Sequence, residues 1–363
     1  MIIGHGGNKV AAASKLGCRP EDIVDMSSNI NPLGMVPGLM EHLGQRLEQV
    51  MSLPEVDAGE AIASMAHLLD IDPSRMLMGT GTTQFIYTVC PALQPERVLV
   101  VGPTYADYSS ACTMHQVEQK YFLAGSEDGF RLDCQQLAIQ AREYDVVFLC
   151  NSNNPTGQCV PHDDLVQLCR SLPDTTFVID ESYLPFAPKQ YARSMTASGL
   201  ENVVVLWSIS KIFGIPGLRA GFLVAEQPVL ERFRAFMQPW SANSLAQEAA
   251  VFLGAHKKET LEFIEQSADF VRLQVDVFQS SLEDLPLQIY PTLTPYMLIG
   301  LPENLRAESL CEAMLQERLL IRNCSNFYGL NDQYVRIALK NSDINEKAAQ
   351  QLRNVMIRYR EEG

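Results

Sequence analysis

Lys211 follows an apolar run, Val203-Val204-Val205-Leu206-Trp207, and the serines Ser208 and Ser210, and it stands eight residues before Arg219. A lysine so close behind five apolar residues is badly placed for a solvated charge. Its ammonium must find a partner or give up its proton. A desolvated lysine beside another cation has a depressed pKa and forms Schiff bases with aldehydes. Ser208 and Arg219 add a hydroxyl and a permanent cation, which suit a phosphate group. A lysine for an aldehyde beside holders for a phosphate points to pyridoxal 5′-phosphate. On this stretch alone, the competing account is a strand end whose Lys211 pairs with an acid.

Other polar residues sit in the same way behind apolar runs. Asn154 follows Val146-Val147-Phe148-Leu149-Cys150 and precedes Pro155, which biases it to extended geometry and lets its amide project. Such an amide can bond a phenolate-like oxygen. Asp180 ends Thr176-Phe177-Val178-Ile179, where an unpaired carboxylate is costly and a cationic ring nitrogen would satisfy it. A salt bridge to a helix would do so too. Gly79-Thr80-Gly81-Thr82-Thr83 joins a short strand to a helix start, whose amides can hold a phosphate, although a plain capped turn reads the same. Tyr105 follows the strand Arg97–Val101 and can stack on a flat ring or be half-buried packing. Arg322 and Arg336 each lie in or beside a β-type run, as strand-end charges or as a clamp for a doubly anionic substrate.

These residues need a frame that brings strand ends together. Strands near 98, 146, 176, 203 and 220, spaced by helical patterns, predict an α/β fold with a mostly parallel sheet covered on both faces. In such sheets ligands bind at the carboxyl ends of the strands. Helices are expected at 9–16, 37–52 and 57–70, and a long helix or a pair at 245–282. A smaller α/β unit follows: strand 296–300, helix 306–317, strands 319–322 and 334–339, and a final helix from about 345. The chain has 363 residues, 47% hydrophobic and 20% charged, which fits a globular protein with one large and one smaller domain. Its net charge of −15 argues against a nucleic-acid partner or an anionic membrane surface. The nine cysteines form no C-x-x-C pair, so no metal site is expected, and they read as buried thiols in a reducing cytoplasm.

Taken together, Asn154-Pro155-Thr156-Gly157, Asp180-Glu181-Ser182-Tyr183, and Ser208-Ile209-Ser210-Lys211 with Arg219 resemble the fold-type I pyridoxal-phosphate enzymes of the class I/II aminotransferase group. Two branches of that group are similar, the histidinol-phosphate aminotransferases and the threonine-phosphate decarboxylases of cobalamin synthesis. The second likeness rests on His5-Gly6-Gly7-Asn8, Asn29-Ile30-Asn31-Pro32-Leu33-Gly34, Ile215-Pro216-Gly217-Leu218-Arg219, Pro239-Trp240-Ser241-Ala242-Asn243 and Leu320-Ile321-Arg322-Asn323-Cys324.

The resemblance implies a catalytic set of Lys211, Asp180 and Tyr183. Lys211 would take the Schiff base and Asp180 the ring nitrogen. Asn154 and Tyr183 would bond the ring hydroxyl, and Tyr105 would stack on the ring. Gly81, Thr82, Ser208 and Arg219, with Thr83 beside them, would hold the cofactor phosphate. Arg336 would bind the substrate carboxylate, with Asn154 nearby, and His5, Asn29 and Arg322 the substrate phosphate. Residues 1–36 would then be an arm or lid against the small domain, not a loose terminus. The large domain would span 37–250 and the small one 251–363, in a cytoplasmic homodimer. One motif departs from the group: Leu53-Pro54-Glu55 stands where many relatives carry a tyrosine that reaches the partner subunit's cofactor. The implied reaction is decarboxylation of threonine phosphate. The alternatives are a histidinol-phosphate-type aminotransferase and a non-catalytic regulator, which the acidic charge opposes.

Overall fold

The computed structural model describes residues 6–362. Seven strands form one sheet in the spatial order Met76–Gly79, Gly221–Val224, Val203–Ser208, Thr176–Asp180, Val146–Cys150, Arg97–Gly102 and Glu118–Leu123. The pairings from Val203–Ser208 outward to Glu118–Leu123 are parallel. Gly221–Val224 runs antiparallel to both its neighbours, so the strand expected near 220 is the exception in a mostly parallel sheet. The near-continuous apolar runs have a direct cause. Val203, Val205 and Trp207 pack into one core, while Val204 and Leu206 pack into another on the opposite face.

A second sheet of four antiparallel strands orders Arg322–Asn323, Tyr334–Ala338, Tyr296–Gly300 and Gln288–Ile289. The expected strand 319–322 is broken in two. Leu319–Leu320 leaves this sheet and pairs in parallel with Val24–Asp25 near the amino terminus. The region 245–282 is a pair of helices, Ser244–Ala255 and Lys257–Ser280, and the last helix starts earlier than expected, at Ser342. Residues 37–52 form a short helix, Leu39–Gln45, followed by a 3-10 turn, Leu47–Met51. Of the nine thiols, none in a disulfide, Cys18, Cys134, Cys159 and Cys311 are only partly buried, against the expectation that all are buried. No helix among the described residues is long and apolar enough to cross a membrane.

The segment after Val24–Asp25 is tied to the lysine turn. The Asn31 amide group donates to the Ile212 carbonyl at 2.6 Å and to Ser267 Oγ at 2.8 Å, and its backbone N–H donates to the Lys211 carbonyl at 3.1 Å. Gly214, at φ +66°, lies so close that an added Cβ would stand 2.5 Å from the Gly34 carbonyl oxygen.

Candidate active site

All ten residues expected around the cofactor line one inner chamber of about 160 Å³ at the carboxyl edge of the large sheet. The reason is topological. Parallel strands put their carboxyl ends on one edge, so polar residues that follow each apolar run converge. Lys211 sits in the one-turn helix Ile209–Ile212 directly after its strand. Burial, then the guanidinium groups of Arg219 and Arg336, lower its pKa to about 8, against a smaller opposite pull from Asp180.

Asp180 is buried. Its Oδ1 accepts from the Ser182 N–H at 3.0 Å and from Ser182 Oγ at 2.6 Å, and its Oδ2 accepts from the Tyr108 hydroxyl at 2.9 Å. Burial pushes its pKa up, and those three donors and Lys211 only partly offset this. A cationic partner is what such a group lacks. Tyr108 was missed in the sequence. It lies three residues after Tyr105, on the helix Asp107–Met114, so that i, i+3 aromatic spacing was the available signal. Its ring stacks on Phe148 at 5.1 Å and meets Tyr105 edge-on at 5.8 Å.

At the other end of the chamber, Gly81, Thr82 and Thr83 open the helix Thr82–Leu93. Gly81 has φ +76°, and a Cβ there would stand 2.9 Å from Arg219 Nη2. A Cβ at Gly221 would stand 2.5 Å from the Thr82 nitrogen. Only bare backbone leaves this cradle of helix amides, Ser208 and Arg219 open to an anion.

An outer chamber of about 360 Å³ shares Tyr105, Asn154, Tyr183 and Lys211 with the inner one and adds Asn29, Arg322 and Arg336. Arg336 is buried; its Nη2 donates to the Ser27 carbonyl at 2.6 Å and its Nη1 to Asn154 Oδ1, while its Nε has no hydrogen-bond partner among the described residues. Because a guanidinium only donates, Asn154 must turn its oxygen to Arg336 and keep its NH₂ for another acceptor. Tyr183 stacks edge-on against Tyr296 at 5.1 Å and accepts from Asn29 Nδ2 at 3.3 Å. Burial, partly opposed by Arg336, pushes its phenol up to about 12. Asn29 is buried, and its Oδ1 has no hydrogen-bond partner among the described residues. Arg322 donates to Asn326 Oδ1 at 2.6 Å and lies over the Phe327 ring at 5.3 Å. His5 lies outside the described residues.

The family model for class I and II aminotransferases matches residues 21–352. The chain belongs to that family. Among its relatives is a threonine-phosphate decarboxylase of Salmonella typhimurium, 33% identical over 97% of this chain and 96% of the relative. A histidinol-phosphate aminotransferase of Methanocaldococcus jannaschii is 27% identical over 92% of this chain and 89% of the relative. The crystal structure of L-threonine-O-3-phosphate decarboxylase from Porphyromonas gingivalis superposes with a TM-score of 0.81 at 31% identity, covering 92% of this chain and 99% of that one. The cofactor of this class I/II family enzyme is pyridoxal 5′-phosphate. The residues present fit it: a desolvated amine, a buried acid short of a cation, and an anion cradle at the far end of one chamber.

Proposed function

We propose that this family member decarboxylates L-threonine O-3-phosphate to carbon dioxide and (R)-1-amino-2-propanol phosphate, the precursor of the cobalamin side chain. The observation that carries the reading is the pair Arg322 and Arg336, opposite each other in the small sheet and both lining the outer chamber. A substrate with a phosphate and a carboxylate gives each guanidinium an anionic partner. Histidinol phosphate has no carboxylate to offer the buried Arg336. The likeness to the two threonine-phosphate decarboxylases supports the same substrate.

Bound in the inner chamber, pyridoxal 5′-phosphate supplies a sink for the electron pair left at Cα when a bond there breaks. The amides of Thr82 and Thr83 at the helix start that Gly81 opens, with Ser208 and Arg219, would hold its phosphate. Asp180 is the partner for its ring nitrogen, Tyr105 for its face, and Asn154 Nδ2 and the Tyr183 hydroxyl for its ring oxygen. Lys211 attaches it. A pKa of about 8 leaves part of the amine neutral near pH 7, and the same Nζ can return a proton to Cα after carbon dioxide has left. Arg336 takes the substrate carboxylate, and Arg322 and Asn29 take its phosphate. By holding the two ends of the substrate, these anchors would fix its torsion about Cα and so select the bond that breaks.

The test supplies threonine phosphate with no 2-oxo acid and measures carbon dioxide and amino-alcohol phosphate. The 27% identical relative supports a second reading, an aminotransferase for histidinol phosphate. Glutamate-coupled turnover of histidinol phosphate without release of carbon dioxide from threonine phosphate would replace the first reading by the second.

A further inference from the structure

Ser27 is buried and makes polar contacts in three directions. Its Oγ donates to Asp25 Oδ1 at 2.6 Å, and its own N–H donates to the same oxygen at 2.9 Å. With its proton committed to Asp25, Oγ is left as an acceptor, and the Gly7 N–H donates to it at 2.8 Å. Its carbonyl accepts from Arg336 Nη2 at 2.6 Å. The tip of the amino-terminal arm, at Gly6 and Gly7, and the guanidinium in the outer chamber therefore hang on opposite ends of one residue.

The packing of the arm points the same way. A Cβ added at Gly6 would stand 2.3 Å from the Ser27 carbonyl oxygen, the atom that Arg336 holds. Gly7 has φ +89°, and a Cβ there would stand 2.7 Å from Ser28 Oγ. Two successive positions without side chains let the arm lie directly on the Ser27–Ser28 turn. The turn itself is anchored from below. Asp25 also accepts from the Ser28 N–H at 3.2 Å, and Lys340 Nζ donates to the Ser28 carbonyl at 3.3 Å. Burial opposes ionisation of Asp25, but the bonds from Ser27 and Ser28, with Lys340 nearby, outweigh it and hold its carboxyl below the usual range.

We propose that Ser27 is a positioning residue that couples docking of the amino-terminal arm to the orientation of Arg336. The hydroxyl holds the arm, and the carbonyl fixes the guanidinium plane from one side while Asn154 fixes it from the other. Coupling of this kind is reciprocal: a carboxylate that binds Arg336 in this orientation also favours the docked arm. The inference rests on Arg336 as the carboxylate site, but not on which bond of the substrate breaks.

Hydrogen exchange of the Gly7 amide in the cofactor-loaded enzyme tests it, with and without L-threonine, which offers a carboxylate and no phosphate. In the unaltered enzyme, threonine should slow Gly7 exchange. In Ser27→Ala, Gly7 should exchange about tenfold faster and respond no longer to threonine, and threonine should bind about tenfold more weakly, the scale of one lost hydrogen bond. Cofactor affinity should stay unchanged, which a general loss of structure would not allow. Gly6→Ala keeps the hydroxyl but crowds the carbonyl, and it should weaken threonine binding in the same way. Faster Gly7 exchange with unaltered threonine affinity would overturn the coupling, as would Gly7 exchange indifferent to Ser27→Ala. These readouts need no turnover, so failure to release carbon dioxide from threonine phosphate would count against the proposed reaction and leave the coupling to its own result.

Discussion

Arg322 and Arg336 are Cα partners across two antiparallel strands, so their side chains leave the same face of the small sheet. Like charges directly opposite each other are unfavourable, and neutral groups help to hold both. Arg336 has the Ser27 carbonyl, the Asn154 oxygen and the Tyr296 ring at 5.3 Å; Arg322 has Asn326 and the Phe327 ring. Burial, and to a lesser degree Arg336, lowers the pKa of Arg322. Two guanidinium groups on one face of the sheet suit a ligand with two anionic ends.

The two arginines should therefore fail differently. Arg322→Ala should lose the preference for threonine phosphate over threonine, by about 10- to 150-fold in kcat/KM, the range of a charged hydrogen bond worth ~1.5–3 kcal/mol. Arg336→Ala should impair both substrates by a similar factor. Steady-state kinetics on both substrates separates the cases, and equal losses in the two variants would contradict the division of labour.

Lys211→Ala should abolish the visible absorbance of the loaded enzyme and its borohydride-trappable link. The lysine also leaves a mark on the cofactor-free protein. Its folded pKa is about 8. The unfolded value is roughly 10.4. Between those values the unfolded chain binds more protons at this side chain, so stability from this group rises with pH through the window. Below about 8 the penalty for burying the ammonium is fully present. Denaturant midpoints of the cofactor-free proteins should show Lys211→Met most stabilised relative to the parent at neutral pH, with the difference closing as pH rises. Parallel profiles would mean that Lys211 is not desolvated.

Tyr108→Phe removes the donor to Asp180 Oδ2 and keeps the ring that packs on Phe148 and Tyr105. Asp180 then takes up a proton more readily and pairs less well with a cationic ring nitrogen. Cofactor release should quicken about tenfold, from a hydrogen bond to a charged group worth ~1.5 kcal/mol. The visible spectrum should also become more pH-sensitive. The other groups facing Asp180 are Lys211, Cys150, Glu181, Tyr105 and Tyr183, all unchanged in this variant. Release and pH profile both like the parent's would reduce Tyr108 to packing.

Sedimentation should report a homodimer. Met51 is 81% and Leu53 75% exposed, beside the exposed Leu47, Val50 and Val56, an apolar surface that a second copy can cover. Met51→Glu with Leu53→Glu should shift the protein towards monomer and lower activity. An active monomer in the parent protein would rule this out, and Leu53→Tyr should then leave cofactor affinity unaltered.

The amino-acid sequence by itself determined where the inner chamber would be. Asn154, Asp180, Ser208 and Lys211 follow long apolar runs, and parallel strands deliver such positions to one edge whatever the details of packing. Local pattern carries that information. The contacts that give those residues their state are not local. Tyr108 reaches Asp180 across 72 residues of chain, Arg336 reaches Asn154 across 182, and Arg336 reaches the Ser27 carbonyl across 309. Nor does periodicity separate one strand from two at 319–323, because whether Leu319–Leu320 stays in the small sheet depends on Val24–Asp25 arriving beside it. Register across the small sheet put Arg322 opposite Arg336, and a one-residue slip of either strand would have turned one of them to the other face. Tertiary structure decided these points because each depends on two distant segments meeting at one depth and orientation, which neither segment encodes alone.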